Sequence, residues 1–592
     1  MREDDDVLEV GTRWHLRAAT YHLYDQVAVS DQLHFEKDGR EFIWEYANLS
    51  KLLRIYTSEC PAYRELLAML HKARPSSPDY PWSLIVYCDE TVPGDPLRLD
   101  QKKKVMAVYV TILDLGEAIL KHDCAWLPLA CLRTYTLKKL AGKWGAALRL
   151  LLRRVLILEG NVRGGVYLPA VDNATVFFKL PNIVADELGL QQVWDSTGCN
   201  GTIPSIEAKN VTGIGAKGLS LRDDYFVDIA CTDVSVFEFN TNEDVWTKYD
   251  VLARLSTVVM TIDARDSLET GYGLHHAPLG LLADVELRPM VRPIDVNTHD
   301  PQHVFFSDGM CQTELNALLP VLLETGVTFD LMSSYFGDQW KRTRAWQGGK
   351  LNEVFSESRA RHFYNTGKLS MFASEMLGLV LPFTHMLESI GVVDDLPLEL
   401  NSWRELARVV RCIQFGKQGR DVGDRFEDSL KSHGDAHLLA YGTKYIKPKC
   451  FVARLLPRQR KRDRRWVDCF PAERKHQLLK AAASPITNTR RYERSVLAIA
   501  LNLQMESLLN WKADGLHCAV DAPQLAIEFG AASCMVSAAV VLSGTQHGRG
   551  DILVSDSMCV EVLCGLEISW GDGIGLQLAL LVDRCVYEAK AT

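Results

Sequence analysis

Apolar residues recur three and four apart through YANLSKLLRIYTSECPAYRELLAMLHKA, from Tyr46 to Ala73, the spacing of helices with one buried face. The period stops at RPSSPDYP, where three prolines in eight residues break any helix. Residues 1–80 therefore read as a helical N-terminal segment. From Trp82 the texture changes to short, nearly continuous apolar runs: SLIVYCD, KVMAVYVTILDL and AWLPLACLRTY, each of a length suited to a buried strand. A strong helical pattern covers Leu137 to Glu159, and two more strand patterns follow, GVYLPA and TVFFKLPNIVAD. The last runs straight into a helical ELGLQQVW. Three strands, a helix and further strands predict a mixed α/β sheet, and two of its strands end in an acid, Asp89 and Asp186.

Beyond that sheet, 197–309 reads as an irregular, loop-rich insertion. Residues 310–445 are mostly helical, as in ELNALLPVLLE and LSMFASEMLGLVLPFTHMLESI. A basic segment with a closing helix, ERKHQLLK, occupies 446–510, and 511–592 is Gly-rich and strand-like. With 592 residues, 47% of them hydrophobic and 24% charged, the chain is globular and too long for one core, so roughly two to four domains are expected.

The net charge of −9 gives no global sign of a nucleic-acid binder, but charge acts locally. Between Lys444 and Arg494 cations outnumber acids, most densely in RQRKRDRRW. Arg458, Arg460, Lys461, Arg462, Arg464, Arg465 and the later Lys475, interleaved with Trp466 and Phe470, form a candidate surface for a phosphate backbone. The 15 cysteines are scattered without a C-x-x-C pair. The start, MREDDD, is acidic where a signal peptide would be basic. Both favour a reducing, intracellular compartment, nuclear or cytoplasmic. The most apolar stretch, AASCMVSAAVVLS, is too short to cross a bilayer, so no membrane partner is expected.

Carboxylates on two strand ends plus one on a later helix are what a two-metal phosphoryl-transfer site needs, because Mg2+ takes hard oxygen ligands and keeps several waters. Each acid also has a plainer reading. Asp89 is a solvated strand end, with Glu90 and Asp95 as rival ligands; Asp95-Pro96 suits a turn. Asp186 is a helix N-cap, and Glu473 a surface partner for neighbouring cations.

Four segments in order resemble the CACTA-type (En/Spm-like) DDE transposases. YCDETVPGDPLRLDQKKKVMAVYVTI is similar to the first-Asp region of that family and NIVADELGLQQVW to its second-Asp region. HDPQHVFFSDGM is similar to its D-x-x-H segment, and KPKCFVARLLP followed by WVDCFPAERKHQLLK to its closing region. The resemblance implies a ribonuclease-H-like core interrupted by a large helical insertion, with Asp89, Asp186 and Glu473 as catalytic ligands of two Mg2+ ions. It further implies DNA as the partner, in a homo-oligomer or alone, and strand cleavage and transfer as the activity. The alternative is a catalytically inactive, transposase-derived DNA-binding protein. The chain departs from the family where a C-x-x-C pair would join Asp300 and His303 in a structural zinc site. TIPSIEAKN has Ser205 and Ala208 there, and neither supplies a thiolate. Cys450 and Arg454 also stand where the family favours histidines.

Overall fold

The computed structural model describes residues 22–93, 103–199, 201–215, 225–258, 260–339, 351–391, 395–417, 421–486 and 488–511, and then a set of strands between Gly515 and Asp583. The Asp95-Pro96 turn lies outside the described residues.

The N-terminal segment is not wholly helical. Ala28–His34 (β1) and Glu41–Ala47 (β2) form an antiparallel hairpin, followed by the helices Leu49–Glu59 and Pro61–Ala73. The turn between the strands passes through Gly39 at φ 66°, a conformation glycine adopts without a Cβ clash. Tertiary packing holds the hairpin: Trp44 is fully buried and its indole Nε1 donates to the Cys131 carbonyl at 3.0 Å. The Asp38-Gly39 pair was the hairpin signal in the sequence. The helix period of the following residues masked it.

The central sheet holds Trp82–Thr91 (β3), Val105–Ile112 (β4), Leu127–Arg133 (β5), Phe178–Ala185 (β8) and Asn297–His299 (β11). Between β5 and β8 lies a small hairpin, Val166–Leu168 (β6) with Ala174–Val176 (β7), and between β8 and β11 a short parallel pair, Val211–Thr212 (β9) with Val227–Asp228 (β10). The order across the main sheet is β11-β8-β3-β4-β5. β3, β4 and β5 run antiparallel in sequence, whereas β8 lies parallel to β3 and β11 parallel to β8. Every residue of β4 is buried and β3 is buried from Trp82 to Cys88, because helices cover both faces.

Two hydrophobic cores result. One surrounds the sheet and takes in the N-terminal helices and the chain from Val467 to Leu508. The other is helical, running from Val304 to Trp466 with Ala208, Val211, Ile229 and Phe237. The segment 197–309 is therefore less irregular than its sequence: it carries the helices Asn242–Leu255 and Ile262–Tyr272 and supplies β11. The helix Pro448–Asp463, read from the sequence as part of the closing segment, packs in the helical core. Beyond Trp511 the strands pair antiparallel, Cys559–Trp570 with Ile574–Asp583 among them. Among the described residues no single helix is long and apolar enough to cross a membrane.

Candidate metal centre

Parallel pairing of β3 and β8 sets the register Tyr87↔Val184. Continued by two residues, it brings Asp89 level with Asp186, the residue after β8. Both acids thus stand at the same end of adjacent parallel strands, which is where an open sheet presents ligands. Asp186 is also a helix cap: its Oδ1 accepts the Gly189 amide at 2.6 Å at the start of Glu187–Trp194. The N-cap reading of Asp186 is therefore met, and the strand register sets it beside Asp89. Burial, and then the charge of Asp89, push its carboxyl above the usual range.

Glu473 reaches the same place from the first turn of the helix Phe470–Ala483. Ligand atoms of Asp89, His303 and Glu473 all lie within 4.8 Å of one another. Burial raises the Glu473 carboxyl, His303 draws it down, and Asp300 and Asp89 raise it again; the net shift is upward. Gln302 Nε2 donates to its Oε2.

Asp89 is the most tightly held of the three acids. Its Oδ2 accepts the Tyr87 hydroxyl at 2.8 Å and lies 3.0 Å from His476 Nε2; its Oδ1 accepts the Glu90 amide at 2.6 Å. His476 Nδ1 in turn faces the Tyr109 hydroxyl at 3.0 Å, which orients the ring toward Asp89. Burial works to raise the Asp89 carboxyl, but the His476 hydrogen bond and the charges of His476 and His303 outweigh it, and the group stays below the usual range. Glu90 points elsewhere, pairing with Lys104 at 2.5 Å and accepting from Thr134. It is not a rival ligand.

Asp300 and His303, expected from the resemblance at a separate structural site, belong to this centre instead. Asp300 caps Pro301–Phe305 and accepts the amides of Gln302 and His303. His303 Nδ1 sits 2.6 Å from Asp300 Oδ2, and its Nε2 sits 3.4 Å from Glu473 Oε1. Although burial opposes charge on His303, Asp300, Glu473 and Asp89 together raise it to about 10, so it is an imidazolium at neutral pH. The Cys469 thiol donates to Asp300 Oδ2 at 2.7 Å; burial and then Asp300 keep it protonated. Near Ser205 and Ala208, the intervening Glu207 ties the segment to β11 through His299 at 3.0 Å and Asn297 at 2.7 Å. A carboxylate hydrogen-bonded to an imidazole and an amide, and no thiolate, occupy this segment.

Asp89, Asp300 and Glu473 thus surround the His303 imidazolium, His476 bonds Asp89, and Asp186 stands level with Asp89 on the adjacent strand. Two of the carboxyls, Asp186 and Glu473, are raised, chiefly by burial and further by the neighbouring acids. Hard oxygen donors short of positive charge fit a divalent cation such as Mg2+.

The basic run is placed differently from its sequence reading. Lys475 is buried, and its ammonium donates to Gln504 Oε1, so it cannot meet DNA. Arg462 donates to the carbonyls of Ile294 and Asn297 and to Thr298 Oγ1, and Arg465 to the Leu113 carbonyl at 2.8 Å. Lys461 pairs with Asp424 and Glu427, Arg460 with Asp421 at 3.9 Å, and Arg458 lies over the Phe239 ring. Arg464 is exposed at the helix C-cap. A cleft of about 590 Å3 opens between the two cores beside the centre, with Gln302, Lys417 and Arg474 among its lining.

Sequence reasoning missed Tyr87, Gln302, Cys469 and His476. Three of them had a signal: Tyr87 lies two residues before Asp89 on one strand face, and Cys469 and His476 flank Glu473 at helical spacings of four and three. A scan against protein-family models and a search of curated proteins find no match to this chain.

Proposed function

We propose that the five-stranded sheet is a ribonuclease-H-like core and that the centre on it performs Mg2+-dependent DNA strand cleavage and transfer, as in a DDE transposase. The observation that carries the reading is the clustering of Asp89, at the end of β3, with Glu473 from a helix more than 380 positions later in the chain, while the strand register sets Asp186 level with Asp89 on the adjacent parallel strand. The antiparallel β3-β4-β5 meander flanked by parallel β8 and β11 is the strand arrangement such a core requires. The four sequence segments in family order support the same reading.

Asp89, Asp186 and Glu473 would hold two Mg2+ ions. Bound there, the metal supplies Lewis-acid stabilisation of phosphoryl oxygens and a more acidic attacking water or DNA 3′-hydroxyl. The protein's own groups position and balance that chemistry. Tyr87 and His476 fix the Asp89 carboxylate, and Asp300 orients His303. The His303 imidazolium places a proton and a positive charge beside Glu473, where a phosphate oxygen would approach. Gln302, which donates to Glu473, also lines the cleft.

The test is cleavage of a labelled DNA duplex with Mg2+ by the full chain, its Asp89→Asn and Glu473→Gln variants, and a variant neutralising Arg458, Lys461 and Arg464. The expected result is cleavage by the parent, none by the carboxylate variants, and weakened binding to all sequences by the third. Binding without cleavage by the parent would favour the inactive, transposase-derived alternative. Neither binding nor cleavage at moderate salt would overturn both readings.

A further inference from the structure

Outside the carboxylate centre, the helical core buries a second group of ligand-type side chains. Glu314 projects from the helix Met310–Glu324, and His433 and His437 project from one face of Arg425–Tyr441, four residues apart. Their side chains are 1%, 4% and 5% exposed. His433 Nε2 lies 2.5 Å and His437 Nδ1 3.2 Å from the same carboxylate oxygen, Glu314 Oε2. Ser402 donates to the other oxygen at 2.6 Å. The outer ring nitrogens, His433 Nδ1 and His437 Nε2, have no hydrogen-bond partner. A small cavity of about 20 Å3 lies against these three side chains, with Cys450 and Arg454 also on its wall.

We infer that Glu314, His433, His437 and Cys450 form a structural zinc site that locks the helical unit together. The ligand chemistry selects the metal. Two imidazoles, one carboxylate and one thiol suit Zn2+ and not Mg2+, which takes oxygen. Around a tetrahedral ion with bonds of about 2.0–2.3 Å, ligand atoms stand roughly 3.3 Å apart. The three ligand atoms already lie within 4.8 Å of one another, so a small opening of the cluster admits the ion. A pair of histidines four apart on a helix can hold one ion from a single face. Charge also balances. Arg454, on the cavity wall, is committed to the protein itself, its Nη1 donating to the Ile229 carbonyl. The Glu314 carboxylate and a Cys450 thiolate offset the ion, and the thiol proton leaves to solvent on binding. The site shares no residue with the Mg2+ centre, so either assignment can fail alone. Its function is to join Met310–Glu324, Arg425–Tyr441 and Pro448–Asp463, three helices of the core that packs beside the catalytic sheet.

The experiment is metal analysis of the full chain purified without chelator, followed by removal of metal and titration with Co2+. The expected result is about one zinc per chain, and a Co2+ form with the intense visible bands of tetrahedral coordination plus a thiolate-to-metal charge-transfer band. Cys450→Ser should lose the charge-transfer band. A His433→Asn, His437→Asn double variant should fall below about a tenth of a zinc per chain. Cys469→Ser, at the other cysteine-containing cluster, should retain its zinc. Absence of zinc together with no tetrahedral Co2+ spectrum in the unsubstituted chain overturns the assignment without relying on any variant folding. Zinc kept by the double histidine variant but lost from Cys469→Ser also overturns it, and places the metal at Asp300, His303 and Cys469.

Discussion

At the scale of single residues, the centre depends on groups that hold its acids. His476 bonds Asp89 through Nε2 and is itself fixed by Tyr109, the arrangement that orients a ligating carboxylate. His476→Ala should lower Mg2+-dependent cleavage by about 10- to 100-fold and raise the Mg2+ concentration needed for half-maximal rate; a Mg2+ titration of both proteins checks it. Asp195 tests a different principle. It caps Glu187–Trp194 in the left-handed region, its Oδ2 has no partner, and burial raises its carboxyl to about 7. The folded state therefore holds this proton between about pH 4 and 7 while the unfolded chain releases it. Its contribution to stability is present below the unfolded value and is lost as pH rises through the folded one. Asp195→Asn, which keeps the shape and suits the left-handed backbone, should raise the melting temperature at pH 8 and change it little at pH 4. Thermal scans at the two pH values decide the matter.

At the scale of elements, the segment that looked most like a DNA surface proves to close a sheet edge. β11 is three residues long and pairs on one side only, with β8. On its other side the helix Pro448–Asp463 supplies what a sixth strand would. Gln459 accepts the His299 amide at 2.8 Å and donates to its carbonyl at 2.9 Å, while Arg462 covers Ile294, Asn297 and Thr298. Covering an edge in this way removes a site for pairing with other chains. Gln459→Ala leaves a buried amide and carbonyl unpaired and should cost roughly 2 to 4 kcal/mol. Arg464→Ala, at an exposed position six residues from Arg458, should cost under about 0.5 kcal/mol. Urea unfolding of the two variants separates an edge cap from a solvated charge run.

At the scale of the whole molecule, the sheet core and the helical core meet beside the centre, and the cleft between them takes one wall from each. Lys417 closes the helical wall, paired with Asp468 at 2.9 Å and lying over the Phe470 ring; Arg474 stands on the helix Phe470–Ala483, one residue after Glu473. If DNA enters here, neutralising Lys417 and Arg474 should weaken binding without regard to sequence. The slope of log affinity against log salt should fall by about one for each phosphate that is no longer neutralised. Filter binding across a salt series measures it. An unchanged slope would move the DNA path to Arg458, Lys461 and Arg464.

Neighbouring residues were enough to write the mixed α/β core, the helical unit that follows, the strand-rich C-terminal region, and the acids Asp89 and Glu473 that come together. Those features are local: strand and helix periods, and acids at element ends, are legible one segment at a time. Other features waited for distant partners. The hairpin at 28–47 forms because Trp44 finds Cys131, so its own period carried little signal. His303 is a charged neighbour of Glu473, because Asp300 and β11 bring it to the sheet's end. Arg462 and Lys475 read as cations available to a phosphate, since charge is visible in a sequence. Burial and hydrogen-bond partners are not, because they belong to pairs of residues that only folding brings together.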